Sequence, residues 1–284
     1  MKVIWNSQIV EREEVKIDPE DRGYQFGDGI YEVVRAYNGK FFCIDEHIER
    51  LYTSASKIEM AIPQTKDKMK RLMIQLLEES EVDTGNLYLQ VTRGIASPRN
   101  HVYPDLSVLP TITGNITVVP RDAEKISTGI KTIIEQDIRW LKCDIKSISL
   151  LGNIMAKHEA HKKNAEEAIL HRDGIVTECS ASNVAIVKNG TIYTHPDSNL
   201  ILPGVTKIVW LKCAKKLGIE VKEEPFTLEQ LNEADEVFCS STTIEVMPIH
   251  TINGYAVNNG QIGQVTQKLA KAFQEEIEQV CGKV

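Results

Sequence analysis

Residues 138–147 read Ile138-Arg139-Trp140-Leu141-Lys142-Cys143-Asp144-Ile145-Lys146-Ser147, and this stretch decides how the chain is interpreted. The residues before it, Gly129 to Asp137, are typical of a β-strand, and those after it, Leu150 to Lys163, of an amphipathic helix. A lysine at such a junction can point into a cleft, where its amine can shift its pKa and form a Schiff base with an aldehyde. Most lysines lie on the surface instead. The role of Lys146 therefore depends on residues elsewhere in the chain.

Two turns in the second half of the chain could bind an anion. Leu200 to Thr206 is an apolar run that ends in a proline–glycine turn and then opens a helix, whose first N–H groups are free to bind an anion. Ser240-Ser241-Thr242-Thr243 follows a short apolar strand and offers hydroxyl groups. Together with a candidate Arg50 they indicate one small phosphate group, although both patterns also occur as ordinary turns and caps. The chain has neither a P-loop nor a Gly-x-Gly-x-x-Gly sequence, so a nucleotide is not indicated.

Glu178 is an isolated carboxylate among small residues in Thr177 to Asn183. A solvated glutamate is the ordinary interpretation. If the ligand is pyridoxal phosphate, however, a carboxylate facing the ring nitrogen keeps that nitrogen protonated and makes the ring an electron sink. A lysine, a carboxylate and a phosphate-binding turn are the three protein groups that this cofactor requires.

The composition indicates an ordinary globular protein. The 284 residues are 42% hydrophobic and 26% charged, with a net charge of −7 and no block of Lys and Arg, which argues against nucleic-acid binding. The start of the chain lacks the apolar core of a signal peptide, and no apolar run approaches the ~18 residues of a membrane span, so we expect a cytoplasmic protein. The six cysteines form no Cys-x-x-Cys pair. His158 and His161 lie beside lysines on a predicted helix, and we therefore expect no metal site.

The order of elements predicts an α+β (α/β) protein built on hairpins rather than on repeated βαβ units. Val3 to Val10 is predicted as one strand, and Asn38-Gly39 as a hairpin turn. A short polar segment that begins with Pro120 predicts an interdomain linker. We therefore expect a smaller N-terminal domain at 1–119, a linker at 120–125 and a larger C-terminal domain at 126–284.

Several ordered stretches carry a resemblance to a known family. The chain resembles, from end to end, the fold-type IV pyridoxal-phosphate enzymes, and within them the bacterial D-amino-acid aminotransferases. The matching stretches are Asp21 to Glu32, Glu46 to Arg50, Tyr88 to Gly94, Asp137 to Ser147 and Tyr193 to Pro196.

The resemblance implies two α/β domains with pyridoxal 5'-phosphate between them, in a homodimer with active sites near the subunit interface. By position, Lys146 would carry the cofactor and Glu178 would meet its ring nitrogen. Leu202 would pack on the ring. The phosphate would be held by a further set, through side chains or backbone amides: Arg50, Val205, Thr206, Ser241 and Thr242.

The resemblance also bears on stereochemistry. In the D-amino-acid enzymes a Tyr, an Arg and a His hold the substrate α-carboxylate, and the matching residues here are Tyr31, Arg99 and His101. The family supplies the Arg and the His from the neighbouring subunit. A guanidinium suits two-point carboxylate binding. The resemblance thus implies ping-pong transamination between D-amino acids and 2-oxo acids, with Lys146 as the general base.

Some positions depart from the family pattern and keep alternatives open. Lys142 and Lys207 stand where arginine is frequent, Cys179 where glycine is common, and Pro203 where asparagine is frequent. The sequence at 202–206 is closer to that of branched-chain aminotransferases and aminodeoxychorismate lyases. An L-branched-chain aminotransferase, a lyase of that type, and a non-catalytic cofactor-binding protein of the same fold therefore remain as alternatives.

Overall fold

The computed structural model describes all 284 residues and divides them into two compact units. The first contains Met1–Arg121, Ile145–Ser149 and Val280–Val284, and the second contains Asp122–Asp144 and Leu150–Gln279. The division after Arg121 lies inside the predicted linker. Part of that linker is helical, however, because Asp122 accepts a hydrogen bond from Lys125 N and caps a short helix. Ile145–Ser149, which the sequence placed in the second domain, belongs to the first unit.

The first unit is an antiparallel six-stranded sheet with two long helices. The strand order is β2-β1-β6-β5-β3-β4. The elements are β1 Lys2–Trp5, β2 Gln8–Glu11, α1 Arg22–Phe26, β3 Gly29–Tyr37, β4 Lys40–Phe41, α2 Ile44–Lys57, α3 Lys66–Ser80, β5 Gly85–Thr92 and β6 Thr111–Val118.

Turn chemistry sets the hairpins of this sheet. Asn38 and Gly39 both adopt positive φ, 49° and 69°, and join β3 to β4, so the predicted hairpin is confirmed. The single strand predicted over Val3 to Val10 is wrong. Asn6 adopts a φ of 57° and turns the chain, so that β1 and β2 pair with each other. The helices cover the sheet with apolar faces that include Leu51 of α2 and Met69 of α3.

The second unit is built on a mixed nine-stranded sheet. Its order is β12-β11-β10-β13-β14-β7-β8-β9, with β15 paired to β14. The elements are α4 Ala123–Thr128, β7 Ile130–Gln136, α5 Leu151–Lys162, β8 Glu167–Arg172, β9 Ile175–Cys179, β10 Asn183–Lys188, β11 Thr191–Thr194, α6 Val205–Lys216, β12 Val221–Glu223, α7 Leu228–Asn232, β13 Glu236–Ser241, β14 Glu245–Ile252, β15 Tyr255–Ala256 and α8 Gln264–Cys281.

The centre of this sheet is buried on both faces. In β10 and β13 every residue except the last is buried, so both side-chain directions are covered. β9 pairs with β8, whereas β10 pairs with β11 and β13, so residues 178–183 connect two separate parts of the sheet. The helix α6 begins close to the same residues, as the contacts of Asn183 below establish. No helix is long and apolar enough to cross a membrane.

Candidate active site

Lys146 lies in the first unit, where the segment 145–149 runs along β3. Its carbonyl accepts a hydrogen bond from Tyr31 N at 2.9 Å, its own N–H donates to Ser54 Oγ at 3.2 Å, and Ser147 forms a bridge with Ile30. The side chain is half-buried, with Nζ 4.2 Å from the centre of the Tyr31 ring. Backbone bonds on both sides therefore fix the position of the Lys146 backbone.

A buried ion network supports the same region of the first unit. Arg50 donates from Nε to Glu32 Oε1 at 2.7 Å and from Nη2 to Oε2 at 2.9 Å, and His47 Nδ1 lies 2.8 Å from Oε2. Burial disfavours the Glu32 carboxylate, but the Arg50 charge and the hydrogen bonds from Arg50 and His47 outweigh burial and hold the pKa of Glu32 far below the ordinary range. Burial lowers the pKa of His47, and the Lys146 charge adds to this effect, so His47 is neutral at pH 7 and donates to Glu32.

Sequence reasoning selected Arg50 but missed Glu32 and His47. A signal for Glu32 was present, because it alternates with Ile30 and Val34 on one face of β3 and all three are buried. A carboxylate between two core residues requires a cationic partner. Arg50 is that partner, and the pair holds the guanidinium in one orientation.

Glu178 is the last residue but one of β9 in the second unit and is buried among three donors. Arg139 Nη1 donates to Oε1 at 2.5 Å, Asn183 Nδ2 to Oε2 at 3.0 Å, and Leu202 N to both oxygens at 3.2 and 3.1 Å. Burial raises the pKa of this carboxyl to about 6, and the Arg139 charge opposes the rise. The carboxylate is thus ionised at neutral pH.

Arg139 is the functional side chain that sequence reasoning missed in the second unit. Asp137, which is fully buried, accepts from Arg139 Nε at 2.9 Å and Nη2 at 2.8 Å, and Arg172 Nε approaches the same carboxylate at 3.2 Å. Burial lowers the pKa of Arg139, but its bonds to Asp137 and the charge of Glu178 outweigh burial and raise it above its ordinary value. Arg139 therefore remains charged and faces Glu178 in a fixed orientation.

The start of α6 has the free backbone N–H groups that the predicted anion-binding turn requires. Val205 and Thr206 are its first two residues, and Gly204 precedes them without any side-chain cap on the free N–H groups. A Cβ at Gly204 would lie 2.0 Å from Asn183 Oδ1, and Asn183 Nδ2 also donates to the Leu202 carbonyl at 2.9 Å. Asn183 therefore joins this turn to Glu178.

The hydroxyl cluster and a buried lysine complete this region. Ser241 and Thr242 follow at the end of β13 and are half-buried, and Trp210 of α6 donates to the neighbouring Ser240 at 3.1 Å, which ties α6 to β13. Lys207 is 2% exposed and donates to the His195 carbonyl and to Asp197, both at 2.9 Å. Lys207 thus anchors the loop that leads to the anion-binding turn.

The three predicted carboxylate-binding residues lie in the first unit. Tyr31 packs beside Tyr88, with ring centres 5.6 Å apart. Arg99 and His101 are exposed on the loop after β5, and both lie against Phe26, at 4.2 Å for the guanidinium carbon and 5.4 Å between ring centres. The structure thus brings Arg99 and His101 together.

No group of three or more His, Cys, Asp or Glu side chains is placed to hold a metal ion. The rings of His158 and His161 are 6.5 Å apart on α5.

An amine on a fixed backbone, a buried carboxylate and an uncapped helix start are the groups of a pyridoxal-phosphate enzyme. The chain belongs to the class IV aminotransferases, since it matches the family "Amino-transferase class IV" over residues 29–252.

Two relatives with high sequence identity are both D-alanine aminotransferases. The chain is 55% identical to a D-alanine aminotransferase of Listeria monocytogenes serotype 4b (strain F2365), across 100% of this chain and 99% of the relative. It is 48% identical to a D-alanine aminotransferase of Staphylococcus epidermidis (strain RP62A), across 98% of each.

Solved structures share the fold. The branched-chain aminotransferase of the archaeon Thermoproteus uzoniensis with norvaline has a TM-score of 0.87 at 27% identity, covering 100% of this chain and 95% of that one. The branched-chain enzyme of Escherichia coli has a TM-score of 0.90 at 25% identity, covering 96% and 93%. The predicted two-domain fold-type IV class is confirmed.

Proposed function

We propose that this chain is a pyridoxal-phosphate-dependent D-amino-acid aminotransferase, which converts for example D-alanine and 2-oxoglutarate to pyruvate and D-glutamate. The observation that carries the proposal is the 55% identity, over the whole chain, with a protein named D-alanine aminotransferase. The geometry adds the side chains that this reaction requires.

The residues fit the cofactor. We assign the cofactor aldehyde to Lys146, the ring nitrogen to Glu178, the ring face to Leu202, and the phosphate to the uncapped start of α6. The phosphate set also includes Arg50, Val205, Thr206, Ser241 and Thr242. The buried Glu178 is ionised at neutral pH, which is the state that retains a proton on a ring nitrogen. Asn183 and the close approach at Gly204 hold the phosphate turn and the carboxylate in one arrangement.

The bound cofactor supplies an electron sink for the negative charge that develops at the substrate Cα. Lys146 Nζ would take the proton from the substrate Cα as general base and would hold it on the same face of the substrate for its return. Arg50, fixed by Glu32, binds one side of the phosphate. Tyr31, Arg99 and His101 bind the substrate α-carboxylate and so select the face from which Lys146 removes the proton.

A lysine substitution tests the chemistry. Lys146→Ala should lose the visible absorbance of the purified holoenzyme and nearly all turnover, whereas Lys142→Ala, an exposed lysine of the same segment, should keep both. A Lys146→Ala variant with full activity would rule out the proposed role.

A substrate panel separates the alternatives. An L-branched-chain aminotransferase is the second candidate, since the solved structures named above are branched-chain enzymes. We expect turnover of D-alanine and little of L-leucine or aminodeoxychorismate. A strong preference for L-leucine would reverse the assignment, and a coloured protein that transaminates none of them would be a cofactor-binding protein.

We also propose a homodimer. The second unit exposes an apolar patch in which Gly152 of α5 lies against Arg139, so that segments 138–141 and 151–155 are neighbours. Six side chains on it are 45–71% exposed, which is characteristic of a protein interface: Ile138, Trp140, Leu141, Leu151, Ile154 and Met155.

Light scattering tests the dimer. The wild type should have twice the chain mass, and Trp140→Asp should shift the equilibrium toward the single chain because it places a charge within the patch. A monomeric wild type would contradict the proposal. The cytoplasmic location expected from the sequence also remains part of the proposal, and cell fractionation tests it.

A further inference from the structure

Phe26 contacts the side chains of two arginines and one histidine of the first unit and has no assigned role. Its ring is half-buried at the end of α1. The guanidinium carbon of Arg99 lies 4.2 Å from the ring centre, that of Arg22 lies 4.8 Å from it, and the His101 ring centre lies 5.4 Å away. One aromatic ring therefore contacts both candidate carboxylate-binding side chains of the loop.

The backbone between these two side chains is held as well. Arg22 Nη1 donates to the Asn100 carbonyl at 2.6 Å, and Arg22 Nε donates to Asp28 at 2.8 Å. Arg22 is 4% exposed, whereas Arg99 and His101 are exposed. Residues of α1 thus hold all three consecutive positions 99–101. Phe26 contacts the side chains of Arg99 and His101, and Arg22 bonds the backbone of Asn100 between them.

Such support matters because an exposed arginine samples many rotamers. A carboxylate that binds a mobile guanidinium must first order it, and this ordering weakens binding. A guanidinium stacked on an aromatic face is already restricted and still presents its N–H groups at the edge. The imidazole of His101 on the same ring has its position restricted in the same way.

We propose that Phe26 is a positioning residue for substrate recognition: it stacks Arg99 and His101 as a preformed pair for the α-carboxylate. This inference rests on the proposed function, in which that pair binds the carboxylate of a D-amino acid. Phe26 touches no reacting atom in this proposal, so its removal should weaken substrate binding and leave the proton transfer at Cα unchanged.

The test compares Phe26→Leu with Phe26→Tyr in the purified holoenzyme. Phe26→Leu should raise the KM for D-alanine about three- to tenfold, because contacts to two side chains are lost, and should change kcat by less than about twofold. Phe26→Tyr retains the aromatic face and should restore the wild-type KM. Tyr24→Leu removes an exposed aromatic residue from the same helix and serves as the matched control.

A second readout does not depend on turnover. Calorimetric titration of the holoenzyme with propanoate, a carboxylate without an amino group, should give a dissociation constant that rises in Phe26→Leu by the same factor as KM. If Phe26→Leu folds poorly, Phe26→Met fills the same space without an aromatic face and should show the same weakening. Unchanged KM and propanoate binding in a folded Phe26→Leu or Phe26→Met variant would overturn the proposal.

Arg99→Ala separates failure of the inference from failure of the proposed function. If Arg99→Ala leaves the KM for D-alanine unchanged, Arg99 does not bind the carboxylate, and both proposals fail at this residue. If Arg99→Ala raises KM but Phe26→Leu does not, only the inference is overturned. When both raise KM, the two effects should be less than additive, because the part of the Phe26 effect that acts through Arg99 is already lost in Arg99→Ala. Fully additive effects would show that Phe26 acts independently of Arg99 and would overturn the inference.

Discussion

Arg139→Met is the perturbation that most directly tests the electrostatics of the second unit. The change removes a buried guanidinium that bonds Glu178 at 2.5 Å and Asp137 at 2.8 and 2.9 Å. It leaves two buried carboxylates without their main partner. We expect a loss of about 3–5 kcal/mol in the free energy of unfolding at pH 8, the usual cost of breaking a buried ion pair on one side.

The pKa of Glu178 gives the pH dependence of this loss. In the wild type it lies at about 6, above the ordinary 4.5, so the folded state takes up a proton more readily than the unfolded state. Its contribution to stability is then complete below pH 4.5 and decreases as the pH rises through 6, by about 2 kcal/mol at 1.36 kcal/mol per unit. Without Arg139 the pKa should rise by a further 1–3 units or so. The destabilisation by Arg139→Met should therefore be larger at pH 8 than at pH 5.

The same shift should affect cofactor binding. At pH 7 a carboxyl with a pKa near 6 is about nine-tenths ionised, and a rise of 1–3 units reduces this fraction to between about one-half and one-hundredth. The assay is a titration of the apoenzyme with pyridoxal phosphate from pH 5 to 9, followed by visible absorbance, together with urea unfolding at pH 5 and 8.

Two variants control for effects unrelated to Glu178. Arg139→Lys keeps one positive charge and should give a smaller pKa shift, whereas Lys131→Met removes an exposed cation from β7 and should give none. If pyridoxal-phosphate affinity in Arg139→Met still changes with a midpoint near pH 6, Arg139 does not set the ionisation of Glu178, and the reasoning is refuted.

Two further substitutions test the supports of the phosphate-binding residues. Gly204→Ala places a Cβ 2.0 Å from Asn183 Oδ1 and should displace Asn183 from Glu178, so that pyridoxal-phosphate affinity, measured by absorbance titration, falls about tenfold to a hundredfold. Unchanged affinity would show that the turn can shift without loss. Glu32→Gln should lower the free energy of urea unfolding at pH 7 by about 3–5 kcal/mol, because Arg50 loses a buried partner. Since the pKa of Glu32 is lowered, the difference from wild type should shrink as the pH falls below 4.5, and a pH-independent difference would contradict the ion-pair account.

Residue type and local sequence were enough to predict Lys146, Glu178 and the start of α6 as candidates. Each has a local mark: a lysine between a strand and a helix, a carboxylate among small residues, and a proline–glycine turn before a helix. The partners of these residues could not be predicted in the same way. Glu178 meets Arg139 across 39 positions of sequence, and this contact depends on the sheet, in which β8 pairs with both β7 and β9.

The segment around Lys146 illustrates the same limit for the fold. Contiguous sequence placed Ile145–Ser149 in the second domain, yet its backbone bonds Tyr31 and Ile148 N donates to Gly29, so it belongs to the first unit. A bond of this kind leaves no mark on the local pattern, because any residue can supply a backbone N–H or C=O.

The supporting residues share one physical property that Lys146 lacks. Glu32, Asp137 and Arg22 are buried charged side chains, which are tolerated only where a partner of opposite sign is already in place. Their positions therefore depend on the finished fold, whereas Lys146 is a candidate because of what its amine could do to a ligand. For this reason a sequence can indicate which side chain reacts before it indicates what holds that side chain. Phe26 extends the argument to a neutral residue, because its proposed role is visible only in the two guanidinium groups and the imidazole that surround its ring.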